Sequence, residues 1–170
     1  MAMNKYLSII TLNINGSNAP IKRHRIAEWI RKHDPHIRCL QETYLRTEDL
    51  HRLKVKGWKQ IFQANGQEKK SQGSNTHIRQ NRLKKKRAIK RDPEGYCIIL
   101  KGGIHQEDIN IVNISAPNIG APKYIQKILE DFKKDIENNT VIIGGFNTPL
   151  SKIDLPNKIS TKISQHCAMS

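Results

Sequence analysis

Residues 6–14, YLSIITLNI, form a nearly unbroken run of apolar and β-branched side chains that predicts a buried strand, and Asn15-Gly16-Ser17 supplies the turn that closes it. Asn18-Ala19-Pro20 then opens a helix with Pro20 near its first position, and Ile21, Ile26, Trp29 and Ile30 broadly share one face. His33-Asp34-Pro35 ends it. A second strand follows at 36–42, HIRCLQE, ending on a carboxylate, and 57–65, GWKQIFQAN, alternates as a third strand before the turn Asn65-Gly66. Residues 71–91 break the pattern. They hold few apolar side chains, sustain neither a 2-residue nor a 3.6-residue period, and cluster basic groups, which predicts a loop or disordered insertion, with 71–89 as an aberrant basic loop.

Strand character resumes at 95–100 and 108–115, with Gly102-Gly103 read as the hairpin turn between them. Residues 121–138 carry the clearest helical pattern, with Ile125, Ile128, Leu129, Phe132 and Ile136 on one face, and they deliver a further strand at 140–145. From 152 onward the sequence is an unpatterned Lys/Ser/Ile/Asn-rich tail. The predicted order is β-α-β-β-loop-β-β-α-β, one α/β domain over 1–151 followed by the tail 152–170. Its strands end on polar residues: Asn13, Glu42, Ser115, Asn118 and Asn147. In layered α/β folds, such ends are where loops converge on a site.

Composition narrows the class of partner. The 170 residues carry 30 Lys and Arg against 15 Asp and Glu, a formal charge of +15, which favours a polyanion, most simply nucleic acid, over an anionic membrane. Hydrophobic residues are 36% and aromatics 5%, so a folded part and a looser part are expected. Cys39, Cys97 and Cys167 are odd in number and widely spaced, suggesting reduced thiols rather than disulfides or a zinc site. The apolar run at 6–14 is too short and too interrupted for a membrane span or a signal peptide, so a nuclear or cytoplasmic rather than secreted location is expected.

A strand-end Asn, a strand-end Glu and a later strand-end Asn can together hold a hard divalent cation and a phosphate oxygen. For Glu42 alone, an ordinary solvated carboxylate is the competing reading. The segments TLNINGSNAPIKRHRIAEWI, CLQETYL, HRLKVKGWKQIFQANGQEKK, IKRDPEGYCIILKGGIHQEDINIVNISAPNIGAP and GGFNTPLS occur in this order over most of the chain. Together they resemble the endonuclease domain that opens the second-reading-frame protein of mammalian long interspersed retrotransposons. That domain is a member of the endonuclease/exonuclease/phosphatase superfamily, with apurinic endonucleases and deoxyribonuclease I. The resemblance implies a partial four-layer α/β sandwich lacking much of its second sheet. It also implies an ancestral activity: Mg²⁺-dependent nicking of DNA phosphodiester bonds that leaves a 3′-hydroxyl to prime reverse transcription. It casts Asn13 and Asn147 as catalytic residues that position the phosphate and the attacking water, and Glu42 as the Mg²⁺ ligand.

Four departures from that family imply lost catalysis. Ser115 stands where the family has Tyr, and Gly145 stands where it has the Asp that polarises the water. A positioned general base contributes roughly 10²–10⁴-fold, so the second change is severe. Residues 71–89 replace an apolar strand and basic loop, as a reading-frame slip restored before Lys90 would do, and a lost core strand would deprive its neighbours of ladder partners. The family domain also continues beyond residue 170, with a further Asp and a Ser-Asp-His motif. Ser164-Gln165-His166 echoes that motif too early and with Gln in place of its carboxylate.

Lys84, Lys85, Lys86 and Arg87 read as a phosphate-contacting patch or nuclear import signal, or as a solvated basic loop. His33 and His36 read as surface groups, and Trp29 and Trp58 as packing residues rather than base-stacking platforms. The expectation is a truncated, inactive retroelement endonuclease domain; the alternatives are a non-catalytic basic nucleic-acid-binding polypeptide and a chain that scarcely folds.

Overall fold

The computed structural model describes residues 7–17, 19–45, 60–64, 74–78, 83–104, 106–136 and 139–147. Its elements in chain order are β1 (Ile9–Asn13), α1 (Pro20–His33), β2 (Ile37–Gln41), β3 (Gln60–Ala64), β4 (Ser74–Ile78), β5 (Leu83–Arg91), β6 (Cys97–Ile104), β7 (Glu107–Ser115), α2 (Ala121–Asp131) and β8 (Thr140–Gly145). They form two four-stranded sheets, ordered β1-β2-β4-β3 and β5-β6-β7-β8.

Each sheet contains one parallel pair joined through a helix: β1 beside β2 through α1, and β7 beside β8 through α2. The two-residue side-chain period of these strands divides the core into layers. In β2, Ile37 and Cys39 face the second sheet and pack with Phe62, Ala64, Ile98, Leu100, Ile111 and Ile143, while Leu40 joins Leu12, Ile14, Ile26, Ile30 and Leu45 beneath α1. The second sheet likewise turns Cys97, Ile99, Val112, Ile114 and Ile142 toward Tyr124, Ile125, Ile128 and Leu129 of α2. The result is four layers: α1, first sheet, second sheet, α2. The α/β sandwich expected from the sequence is the architecture found.

Three expectations need correction. Residues 71–91 are not simply a loop, because 74–78 and 83–91 are strands. β4 lies antiparallel to both β2 and β3, so those strands keep their ladder partners, and β5 pairs with β6 through two register shifts. Polar segments such as SNTHI take strand form here because backbone pairing, rather than intrinsic preference, decides. Gly102 and Gly103 lie inside β6 opposite Ile109 and Asp108, and the chain reverses beyond them, between Ile104 and Glu107. The second helix ends at Asp131 and continues as turns, from which Phe132 and Ile136 still pack against the α2 core. The predicted Asn65-Gly66 turn, Trp58, Cys167, the tail 152–170 and Ser164-Gln165-His166 lie outside the described residues.

Candidate functional site

The parallel pairs β1/β2 and β7/β8 place four strand C-termini near one another, since β1 and β2 both lie against β8. At the first pair, Asn13 Nδ2 donates to Glu42 Oε1 at 2.8 Å, and Asn13 Oδ1 accepts from the Asn15 N–H at 3.1 Å. The two loops zip together beyond the sheet, with Gly16 N–H donating to the Glu42 carbonyl at 2.6 Å and Ser17 N–H to the Thr43 carbonyl at 3.0 Å. This geometry turns Asn15, Glu42 and Tyr44 to φ values of 42°, 52° and 51°. Non-glycine residues held at positive φ cost about 1–2 kcal/mol each, and such strain gathers where a fold presents functional groups.

At the second pair, Asn147, also at positive φ, donates through Nδ2 to the Ala116 carbonyl at 2.7 Å and to Asn118 Oδ1 at 3.2 Å. The amide is thus fixed beside the 116–118 loop rather than left swinging in solvent. Ser115 and Gly145 are register partners across β7 and β8. Ser115 is 1% exposed and donates its N–H to the Tyr96 carbonyl at 2.7 Å, so it lies beneath the surface that a substrate would meet. A Cβ built on Gly145 meets nothing within 4 Å, which leaves room for a larger side chain. Gly144 is the opposite case: its φ is 136° and a Cβ there would stand 1.8 Å from the Ile114 carbonyl oxygen.

A buried polar bridge holds the two pairs at one edge. Gln41 Nε2 donates to Asn113 Oδ1 at 2.6 Å and to Thr11 Oγ1 at 2.9 Å, while Asn113 Nδ2 donates to the Leu40 carbonyl at 3.4 Å. Gln41 immediately precedes Glu42, and Asn113 stands two residues before Ser115. Inside the sandwich these groups have no water to replace their partners, so the bridge favours one alignment of the sheets. The sequence reading overlooked this bridge, although polar residues at inward positions of otherwise apolar strands were its visible sign.

A second buried group lies at the same end of the second sheet, at the start of β6, where the Tyr96 carbonyl accepts the Ser115 N–H. Asp92 Oδ2 accepts from the Tyr124 hydroxyl at 2.8 Å and from the Tyr96 N–H at 3.3 Å. Burial, and then the bond to Asp92, push the Tyr124 hydroxyl far above its ordinary pKa, while burial and the Asp92 charge raise the Cys97 thiol. Cys97 therefore stays a protonated packing residue. His36 Nδ1 accepts from the Ser8 N–H at 2.9 Å and lies 2.7 Å from Ser8 Oγ; His33 stacks on Trp29, which packs beside the α1 core.

Glu42 was the expected Mg²⁺ ligand. Among the described residues no group of three or more His, Cys, Asp or Glu gathers to hold a metal. One Glu42 oxygen is engaged by Asn13, so among the described residues Glu42 offers one carboxylate oxygen, and a cation held there would complete its shell with water and substrate oxygens. Lys84–Arg87 lie in β5, where their side chains are outside the described residues.

Solved structures show the same architecture. The chain superposes with a TM-score of 0.66 on D. rerio TDP2 complexed with a single-strand DNA product, at 15% identity, covering 91% of this chain and 65% of that one. Truncated Caenorhabditis elegans TDP2 gives 0.65 at 15% identity, covering 89% and 65%, and a humanized D. rerio TDP2 carrying 14 mutations gives 0.64 at 16%, covering 87% and 64%. The chain therefore spans just under two thirds of the length of these structures. The model of the Endonuclease/Exonuclease/phosphatase family matches residues 10–162, and the chain belongs to that family.

Proposed function

We propose that this chain is a retrotransposon-type endonuclease domain that retains a phosphate-binding edge but no longer hydrolyses DNA. The observation carrying this reading is the contrast within the site: Asn13 and Glu42 form an ordered pair at 2.8 Å, while Gly145 presents no side chain. The family generally uses a divalent metal. Glu42 would hold Mg²⁺, which would neutralise charge on a bound phosphate. Asn13 fixes the Glu42 carboxylate by donating to Oε1, and the Asn147 amide is oriented by Ala116 and Asn118. In this chain no carboxylate at 145 is available to take a proton from an attacking water, and Ser115 lies too deep to replace it. The edge thus binds and orients without activating a nucleophile. A structural relative complexed with single-strand DNA supports nucleic acid as the ligand class.

The test is to incubate the purified chain with supercoiled plasmid and Mg²⁺, with and without EDTA, beside Glu42→Ala. No nicking by the chain is expected, because position 145 supplies no carboxylate to take the proton of an attacking water. EDTA-sensitive nicking that disappears in Glu42→Ala would show an active enzyme and overturn the proposal.

A further inference from the structure

The outer helix α1 carries Lys22, Arg23, Arg25, Arg31 and Lys32 against the single carboxylate of Glu28. Its sheet-facing positions are Ile26 and Ile30; Arg25, Arg31 and Lys32 are exposed, Lys22 and Arg23 are half-buried and donate to the Asn15 and Ser17 carbonyls, and Glu28 is engaged by His24 at 3.3 Å. Local stability does not account for this arrangement. Arg31 and Lys32 suit the negative end of the helix dipole, but Lys22 and Arg25 sit in its first two turns with no acidic residue among them, where cations are unfavourable by some tenths of a kcal/mol.

The location is as informative as the charge. Lys22 Nζ donates to the Asn15 carbonyl at 3.2 Å, tying the start of α1 to the loop that leaves Asn13. α1 connects β1 to β2, the strands that carry Asn13 and lead into Glu42 and that lie against β8. The basic strand β5 is elsewhere: it forms the far edge of the second sheet from β8, and Arg91 Nε reaches back to the Gln63 carbonyl of β3 at 2.6 Å. The basic surface adjoining the candidate site is therefore helical, and the run Lys84–Arg87 belongs to the opposite side of the sandwich.

We infer that the outer face of α1 is a nucleic-acid backbone-binding surface, with Arg25 and Lys32 on one outward stripe, flanked by Lys22 and Arg31, contacting phosphates of a strand that runs along the helix and whose neighbouring phosphate reaches the Asn13–Glu42 edge. Anionic membrane is the poorer partner. A membrane-surface helix buries an apolar face in the lipid, and the apolar face of α1 is already consumed by the first sheet. The inference rests on the DNA-binding part of the proposed function and is indifferent to whether hydrolysis occurs.

Binding of a short fluorescent duplex to the full chain, titrated over a range of salt, tests it. Each lost phosphate contact reduces the slope of log affinity against log salt by about one. The variant combining Lys22→Gln, Arg25→Gln, Arg31→Gln and Lys32→Gln is expected to lose two or more units of slope and about ten- to hundredfold in affinity. A variant with Lys84, Lys85, Lys86 and Arg87 all changed to Gln is expected to lose less than about one unit. Arg25→Glu alone, at an exposed position, should weaken binding with an unchanged thermal melt, separating charge from folding. A reversed ranking, an α1 variant with the parental slope, or displacement of the duplex by anionic vesicles at equal charge would overturn the inference. Absence of any duplex binding by the parent chain would instead remove the DNA-binding reading itself.

Discussion

The two halves of the sandwich are built alike and carry different groups. In each, a parallel strand pair is bridged by a helix on the outer face, yet α2 buries Ala121, Tyr124, Ile125, Ile128 and Leu129, whereas α1 fully buries only Ile26 and Ile30. Burying a large apolar side chain is worth about 1.5–3 kcal/mol, so the α2 half has much the stronger helix–sheet adhesion. Chemistry is distributed the other way. The α1 half ends in the ordered Asn13–Glu42 pair and a cationic helix, while the α2 half ends in buried Ser115 and bare Gly145. Packing and polar side chains are thus separable within one fold: β8 holds its place in the core through Ile142 and Ile143 while its end at Gly145 presents no side chain.

The largest expected effect lies in the α2 half. Gly144→Ala would drive a methyl group into the Ile114 carbonyl at a φ that side chains rarely adopt, and it should lower stability by more than about 4 kcal/mol in a denaturant melt. An ordinary loss below about 1 kcal/mol would mean that this half is not rigid at the strand end.

Between the halves, Gln41→Ala deletes the bridge to Asn113 and should cost about 2–3 kcal/mol. If the bridge aligns the edges, amide exchange should quicken at Glu42 and Gly145 together rather than at one of them. In the α1 half, Arg38 is 1% exposed, and desolvation lowers its guanidinium pKa to about 9.

The smallest effect belongs to the periphery of the α2 half, where Asp135 meets Lys90 and Lys101. Desolvation pushes the Asp135 carboxyl upward, but the hydrogen bonds and charges of the two lysines outweigh it and hold the pKa below the ordinary value of 3.8. With the folded pKa depressed, the stabilisation is complete above the unfolded value and disappears as pH falls from near 4 through the folded value. Asp135→Asn should therefore cost about 1 kcal/mol or less at neutral pH and nothing in strong acid, measured by melts at both.

The parts of the fold legible in the sequence were those in which burial has a period. β1, β2, β6, β7 and the start of α2 are marked by apolar side chains that the core demands at spacings of 2 or 3.6, and the strand ends near Asn13, Glu42 and Ser115 were visible as sudden polarity. β4 and β5 were hidden because their backbones are recruited by β2, β3 and β6, and pairing leaves no apolar mark on segments such as SNTHI and LKKKRAIKR. The Gly102-Gly103 pair misled for a related reason. Glycine permits a turn but does not require one, and β7 held both residues in the ladder.

By itself, the sequence determined the alternation of strands and helices, the cationic surplus and the identities of Asn13, Glu42, Gly145 and Asn147, because these are set by local pattern and side-chain chemistry. Only the tertiary structure decided which strand ends share an edge, that Ser115 is buried and Gly145 open, and that α1 rather than Lys84–Arg87 adjoins the site. Such facts depend on contacts between residues far apart in the chain, such as Gln41 with Asn113, and no local period records them.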